Sequence, residues 1–490
     1  MYAKEQQGKR ITMNQAKTPL YDALTRHWAR RPVSFHVPGH KYGAIFPKRA
    51  EDVFSSLLAL DVTEISGLDD LHHPESVIAE AQALAAELYG AEETFFLVNG
   101  STSGNLAMIA AVCDEKKRKV IVQRNCHKSV MHALQLMGAT PVLLSPEFDS
   151  DMRVASHVCM ETVKEALALH RDAAALVLTN PNYYGMSIDL TEIVRLAHDH
   201  GIPVLVDEAH GAHFVVGPPF PKSALACGAD MVVQSAHKTL PAMTMGAFLH
   251  VNSGRIDVER LKYFLQLFQS SSPSYPIMAS LDLARSYVAK LMEDGVEAIV
   301  EKIEEFKTAL NDIAGVTVVS SRHPDVQIDP LKVTVQTRSS LTGYELQHRL
   351  EREGVFAELA DPLNVLLVCP LAANGQLIET VDKMKRAWCG LPTGQVPLFG
   401  SFPLLRSPLS VLVPYDELRD VRKKVVALEE AEGYVAAETV IPYPPGVPLM
   451  WIGERIDRSH IEQIRQFLHH QAHIQGGSRL RDGLLVVYEL

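Results

Sequence analysis

The chain has 490 residues, 47% hydrophobic and 21% charged, which is enough to bury a large core and excludes a disordered chain. Its 29 glycines and 28 prolines stay near the ordinary globular share, which excludes collagen-like and low-complexity sequence. With 47 basic against 58 acidic residues the formal net charge is −11, so a protein built mainly to hold nucleic acid or an anionic membrane is not expected.

Cys113, Cys126, Cys159, Cys227, Cys369 and Cys389 are scattered without C-x-x-C spacing, the usage of reduced thiols in the cytoplasm. The opening MYAKEQQGKRITMN lacks an apolar core, so no secretory signal is expected there, and residues 1–12 read as a loose extension. No apolar run reaches membrane-spanning length. The first strong pattern is SVIAEAQALAAELYG (76–90), where Val77, Ala81, Leu84 and Leu88 share a helical face that Gly90 ends. Apolar runs follow at 119–122, 141–144, 175–179, 203–206 and 231–233. Helical stretches such as TEIVRLAHDHG (191–201) lie between several of them. That alternation predicts an α/β fold with a mostly parallel sheet, whose ligands collect at the carboxyl ends of the strands. Residues 281–313 read as a long helix or helix pair. VTVVSS, KVTVQT and VLLVCP then predict a smaller α/β domain, and the proline-spaced 391–415 a linker to a C-terminal segment.

Three places after strands carry chemistry. In LVNGSTSGNLAMIAAVC the turn Asn99–Gly100 is followed by Ser101, Thr102 and Ser103 and then by a helix. Free N–H groups and the helix dipole make such a start an anion seat, though a serine there can also be only a cap. In PVLVDEAHGAHF, Asp207 ends a buried strand, where a carboxylate is costly unless it meets a cation such as a pyridinium nitrogen. His210 and His213 also allow a metal reading, but H-x-x-H with one acid is a weak zinc pattern. In ADMVVQSAHKTLPAM, Lys238 follows Ser235 and His237 at another strand end. It is either a nucleophile for an aldehyde or a lysine reaching out to water. Phosphate seat, acid and amine together are what pyridoxal 5'-phosphate requires, and no metal is called for.

SAHK (235–238), DEAHGAH (207–213), FHVPGHK (35–41), LDDLHHP (68–74), RNCHKS (124–129) and IPYPPGVPLMWIGE (441–454) resemble the signatures of the ornithine/lysine/arginine decarboxylases, fold-type-I pyridoxal-phosphate enzymes. The likeness covers most of the chain in order. It implies a fold-type-I major domain at 35–290 after an arm at 1–34, a small α/β domain at 291–390 and a C-terminal decarboxylase-family domain at 391–490. It makes Lys238 the Schiff-base lysine and Asp207 the partner of the ring nitrogen. Ser101, Thr102, Ser235 and His237 fall at phosphate-binding positions, and His127 matches the imidazole stacked on the ring. His210 stands where longer relatives carry a tryptophan, and Glu454 matches an acidic position near substrate. Asp69 and Asp70 are further candidates for reading the substrate's distal cation.

The implied reaction is decarboxylation of arginine to agmatine in polyamine synthesis, with lysine or ornithine next. Aminotransfer and aldol cleavage use the same parts, and a non-catalytic relative is the remaining alternative. The chain resembles the compact biosynthetic type, without the receiver-like wing and its large ring assembly. A homodimer or larger homo-oligomer is implied, with Ser271 or Ser272 of QSSSPSYP (269–276) reaching the neighbour's phosphate.

Overall fold

Each of the apolar runs forms a strand, because β-branched residues buried on both faces have no polar side to turn to water. The computed structural model describes residues 12–391, 408–443, 448–469 and 473–490. The P-P-G turn at 444–446 and most of the proline-spaced linker lie outside them.

Two compact units emerge. One comprises Met1–Val112 with Pro203–Val296. Its strands lie in the order Glu93–Leu97, Ala247–Val251, Met231–Gln234, Val204–Asp207. Three run in one direction; Ala247–Val251 opposes both neighbours, and Val204–Asp207 pairs in parallel with Met231–Gln234, Asp207 opposite Val233. The first two of these four strands carry ETFFL and AFLHV, in which polar residues interrupt the apolar pattern and hide the strand from a reading by runs. Helix Val77–Tyr89 buries Ile78, Ala81, Leu84 and Leu88, the isoleucine and each leucine worth about 1.5–3 kcal/mol of transfer free energy. It stops where predicted, because Gly90 adopts φ +74° and its N–H returns to the carbonyls of Ala86 and Glu87. Val77 is only half-buried. The long helical stretch resolves into Tyr275–Asp294 and, in the second unit, Glu297–Asn311.

The second unit is Cys113–Ile202 with Glu297–Leu490. Lys119–Gln123 pairs in parallel with Thr140–Leu144 and with Ala175–Thr179, and Leu409–Val411 adds an antiparallel edge. Again three of four strands run together, so the main sheet architecture is mostly parallel, as the alternation predicts. Within this unit a four-stranded antiparallel sheet, Val316–Val319, Lys332–Thr337, Asn364–Val368 and Leu359–Ala360, is accompanied by helices Gly343–Arg352 and Gln376–Ala387. C-terminally, Lys423–Ala427, Leu484–Tyr488 and Val435–Ala436 form a three-stranded sheet, and helix Arg458–His469 adds Ile461 and Ile464 to a core with Ala436, Met450, Leu485 and Val487. Among the described residues no helix is long and apolar enough to cross a membrane, and no disulfide joins the cysteines.

Candidate active site

The turn after Glu93–Leu97 places Gly100 at φ +73°, a left-handed conformation suited to glycine, and helix Gly100–Val112 starts there. Its first N–H groups have no intrahelical acceptor and mark the positive end of the helix. Gly104 lets this helix lie close on the sheet, since a Cβ there would stand 2.5 Å from Val233 Cγ2 and 2.8 Å from Leu97 Cδ1. The helix start is thereby held against the strand ends. Ser235, fully buried after Met231–Gln234, donates its hydroxyl to Ser101 Oγ at 2.7 Å. Thr102 is exposed beside Ser101. His237 is bonded through Nδ1 to the Gly246 carbonyl at 3.0 Å; a carbonyl only accepts, so that nitrogen carries the proton.

Asp207 is 3% exposed. Asn105 Nδ2 donates to its Oδ2 at 2.9 Å and the Ala209 N–H to its Oδ1 at 3.1 Å. Both donors are uncharged, and a carboxylate buried in this way is costly as an anion unless a cation stands beside it. Asn105 escaped the sequence reading; the only signal is one amide in the otherwise apolar stretch that follows Gly104. Lys238, in the short helix Ala236–Thr239, brings Nζ to 3.0 Å from Nε2 of the buried His210. An ammonium has donors alone, so His210 accepts on Nε2 and keeps its own proton on Nδ1. That bond is a path along which a proton can move between the two side chains. His213 faces elsewhere, packed edge-on against Phe214 and Phe220 at 4.9 and 4.8 Å.

A hydroxyl pair at a helix start, a buried carboxylate and an amine beside an imidazole thus share one unit. Models of the Orn/Lys/Arg decarboxylase family match residues 18–376 (major domain) and 410–476 (C-terminal domain). The chain belongs to the Orn/Lys/Arg decarboxylase family. It is 50% identical over 479 residues to Bacillus subtilis YaaO, described as uncharacterized, covering 96% of this chain and 98% of that one. It is 35% identical to the arginine decarboxylase of the same organism, covering 95% and 96%. The fold resembles the Escherichia coli constitutive lysine decarboxylase at TM-score 0.79 and 19% identity, over 97% of this chain and 82% of that one. The chain is therefore a fold-type-I α/β protein of a decarboxylase family.

The remaining family positions lie in the second unit or in a helix cap. His127 caps helix Lys128–Leu136: its Nδ1 accepts the Ser129 N–H at 3.3 Å and lies 2.7 Å from the Ser129 hydroxyl. Three residues before it, Arg124 is 1% exposed and forks onto Glu454, Nη1 to Oε1 and Nη2 to Oε2, both at 2.7 Å. The same guanidinium donates to the carbonyls of Pro448 and Leu449, while the Trp451 indole N–H donates to the Arg124 carbonyl. Trp451 N–H also donates to Glu454 Oε2. Burial opposes ionisation of Glu454, but Arg124 and His460 beside it hold its pKa down to about 2. This carboxylate, expected to read the substrate's distal cation, is paired inside the protein with Arg124.

Asp69 is likewise engaged. At φ +69° its carboxylate accepts the N–H groups of Asp70, Glu75, Ser76 and Ile78, anchoring the start of helix Val77–Tyr89. Burial works against its charge, and these donors still hold its pKa below the ordinary value. Asp70 accepts the His72 N–H at 2.8 Å. The acids of LDDLHHP shape a turn.

Proposed function

We propose that this protein binds pyridoxal 5'-phosphate and uses it to decarboxylate a basic amino acid, with L-arginine as the substrate and agmatine as the product. The observation that carries the reading is the shared placement of Ser101 with Ser235, of Asp207 with two neutral donors, and of Lys238 with His210. A phosphate fits the hydroxyl pair at a helix start, and a pyridinium fits a buried carboxylate whose two donors are uncharged.

Ser101, Thr102, Ser235, His237 and the N–H groups of the helix start would hold the phosphate. Lys238 would hold the aldehyde covalently, and Asp207 the protonated ring nitrogen. His127 keeps the task that the family pattern implies, restraint of the ring plane. When bound, the cofactor supplies a cationic conjugated ring that stabilises the electron pair left on the α-carbon as carbon dioxide departs. Asp207 contributes by keeping a proton on the ring nitrogen. His210 accepts a proton from Lys238, which frees the amine as a nucleophile, and returns it so that Lys238 can protonate the α-carbon.

Arginine is favoured over lysine because four Bacillus and Halalkalibacterium relatives named arginine decarboxylase are 34–35% identical, whereas those named lysine decarboxylase are 22–25% identical, as is the biodegradative arginine decarboxylase of Escherichia coli at 23%. Residence in the cytoplasm, a part in polyamine synthesis and assembly as a homo-oligomer belong to the same reading. Incubation of the protein and cofactor with arginine, lysine and ornithine separately, with identification of the amines and carbon dioxide, tests it. Agmatine with stoichiometric carbon dioxide supports the reading; a keto acid would show aminotransfer instead, and cadaverine or putrescine as the preferred product would reassign the substrate.

A further inference from the structure

One buried polar chain lies on the same four strands as the candidate site and has no place in the mechanism above. Gln234 Nε2 donates to Glu208 Oε2 at 2.6 Å, His250 Nε2 lies 3.1 Å from Gln234 Oε1, and Thr94 Oγ1 lies 2.8 Å from His250 Nδ1. Glu208 and His250 are fully buried, as is Gln234, and Thr94 is nearly so. The chain draws one residue from each strand of the unit's sheet, or, for Glu208, from the position just after it. These are the strands whose ends carry Ser101, Ser235 with Lys238, and Asp207.

The hydrogen bonds are directional. An amide NH2 only donates, and Gln234 sets its NH2 against Glu208 Oε2 and its oxygen against His250. His250 must then donate from Nε2, which leaves Nδ1 to accept the Thr94 hydroxyl. Burial drives the His250 imidazole down to about pKa 3, so it stays neutral and this tautomer holds. Every donor in the row points toward Glu208, and each bond polarises the next. Glu208 is also fixed from three other sides. Its N–H donates to the Val233 carbonyl, its Oε1 accepts the Ala224 N–H at 2.7 Å, and its carbonyl accepts the Gly211 N–H. A Cβ on Gly211 would stand 2.7 Å from Glu208 Cγ, so the turn is moulded on this side chain. Tyr89 stacks on His250 at 4.6 Å and donates its hydroxyl to the Ala212 carbonyl in the same turn.

We propose that Glu208, through Gln234, His250 and Thr94, is a positioning residue that holds the strand ends in register, so that the neighbouring Asp207 stays aimed at its cation. This rests on the cofactor reading above.

The test uses the full-length protein titrated with pyridoxal phosphate, reading the dissociation constant and the pH midpoint of the bound cofactor's visible band. Thr94 is three strand spacings from Asp207, about 14 Å, so packing alone does not carry a change at Thr94 to the cofactor. Thr94→Val keeps the shape and removes the donor; Thr94→Ser keeps the hydroxyl. Thr94→Val is expected to weaken cofactor affinity about threefold and Gln234→Leu about tenfold, the weight of one buried hydrogen bond. Both should move the pH midpoint of the band, and Thr94→Ser should restore wild-type values. Should Gln234→Leu fail to fold, the near-isosteric Thr94 pair still decides. Wild-type affinity and midpoint in Thr94→Val would overturn the positioning role while leaving the cofactor reading intact. A wild-type protein that takes up no cofactor and shows no visible band would overturn both.

Discussion

Replacing Glu454 by Gln separates two roles that its place in the family pattern leaves entangled. The carboxylate forks onto Arg124 through two bonds of 2.7 Å, with both residues inside the protein. Glutamine keeps the shape but sets an NH2 against the guanidinium and removes the compensating charge. Breaking one partner of a buried ion pair costs about 3–5 kcal/mol, because the other charge is left uncompensated out of water. The loss should appear as a lower urea midpoint followed by tryptophan fluorescence, since Trp451 donates to both Arg124 and Glu454. Arg124→Met with Glu454→Leu should recover part of it, but not all, because the Pro448 and Leu449 carbonyls lose their donor. The pH dependence follows the sign of the shift. Glu454 has a pKa of about 2 against an ordinary 4.5, so its stabilisation is present above pH 4.5 and is lost as pH falls through about 2. In the folded variant the KM for arginine should be unchanged. A KM raised tenfold with an unmoved urea midpoint would refute the structural assignment and return Glu454 to the substrate pocket.

Asp207→Asn keeps the shape and both donors but removes the charge that would hold the ring nitrogen protonated; turnover should fall a hundredfold or more, about 1.4 kcal/mol per tenfold, and near-normal turnover would mean another group partners the nitrogen. Borohydride treatment of the cofactor-loaded protein should fix the cofactor to Lys238 on peptide mapping, and an adduct on any other lysine would sink that assignment. Burial raises the Glu208 pKa from 4.5 to about 8 against its two donors, so its contribution to stability is full below pH 4.5 and is lost as pH rises through about 8. Glu208→Gln should flatten the fall in urea midpoint across that window, and an unchanged slope would place the titrating group elsewhere. Ser271 and Ser272 are exposed next to the Ser274 cap of helix Tyr275–Asp294. If they reach a neighbour's phosphate, mixing inactive Lys238→Ala with an inactive Ser271/Ser272 double alanine variant should restore activity on subunit exchange, and no recovery despite proven exchange counts against a shared site.

Sequence alone determined the strands that are buried on both faces, because an uninterrupted apolar run has only one comfortable environment. It therefore also determined which residues stand at their carboxyl ends, and Asp207, Ser235 and Lys238 were legible for that reason. Ser101 was legible through turn chemistry, a glycine followed by hydroxyls before an apolar helix. Strands such as AFLHV were not, since His250 in a core reads as a break in the pattern until its partners on two neighbouring strands are known. Asn105 meets Asp207 across 102 positions, and Arg124 meets Glu454 across 330. Such pairs depend on the order of strands in the sheet and on how closely a helix can lie on it, which no local spacing encodes. The acids Glu454 and Asp69 show the same limit from the other side: a carboxylate in a motif looks available for a ligand until the fold reveals the guanidinium or the row of N–H groups that already occupies it.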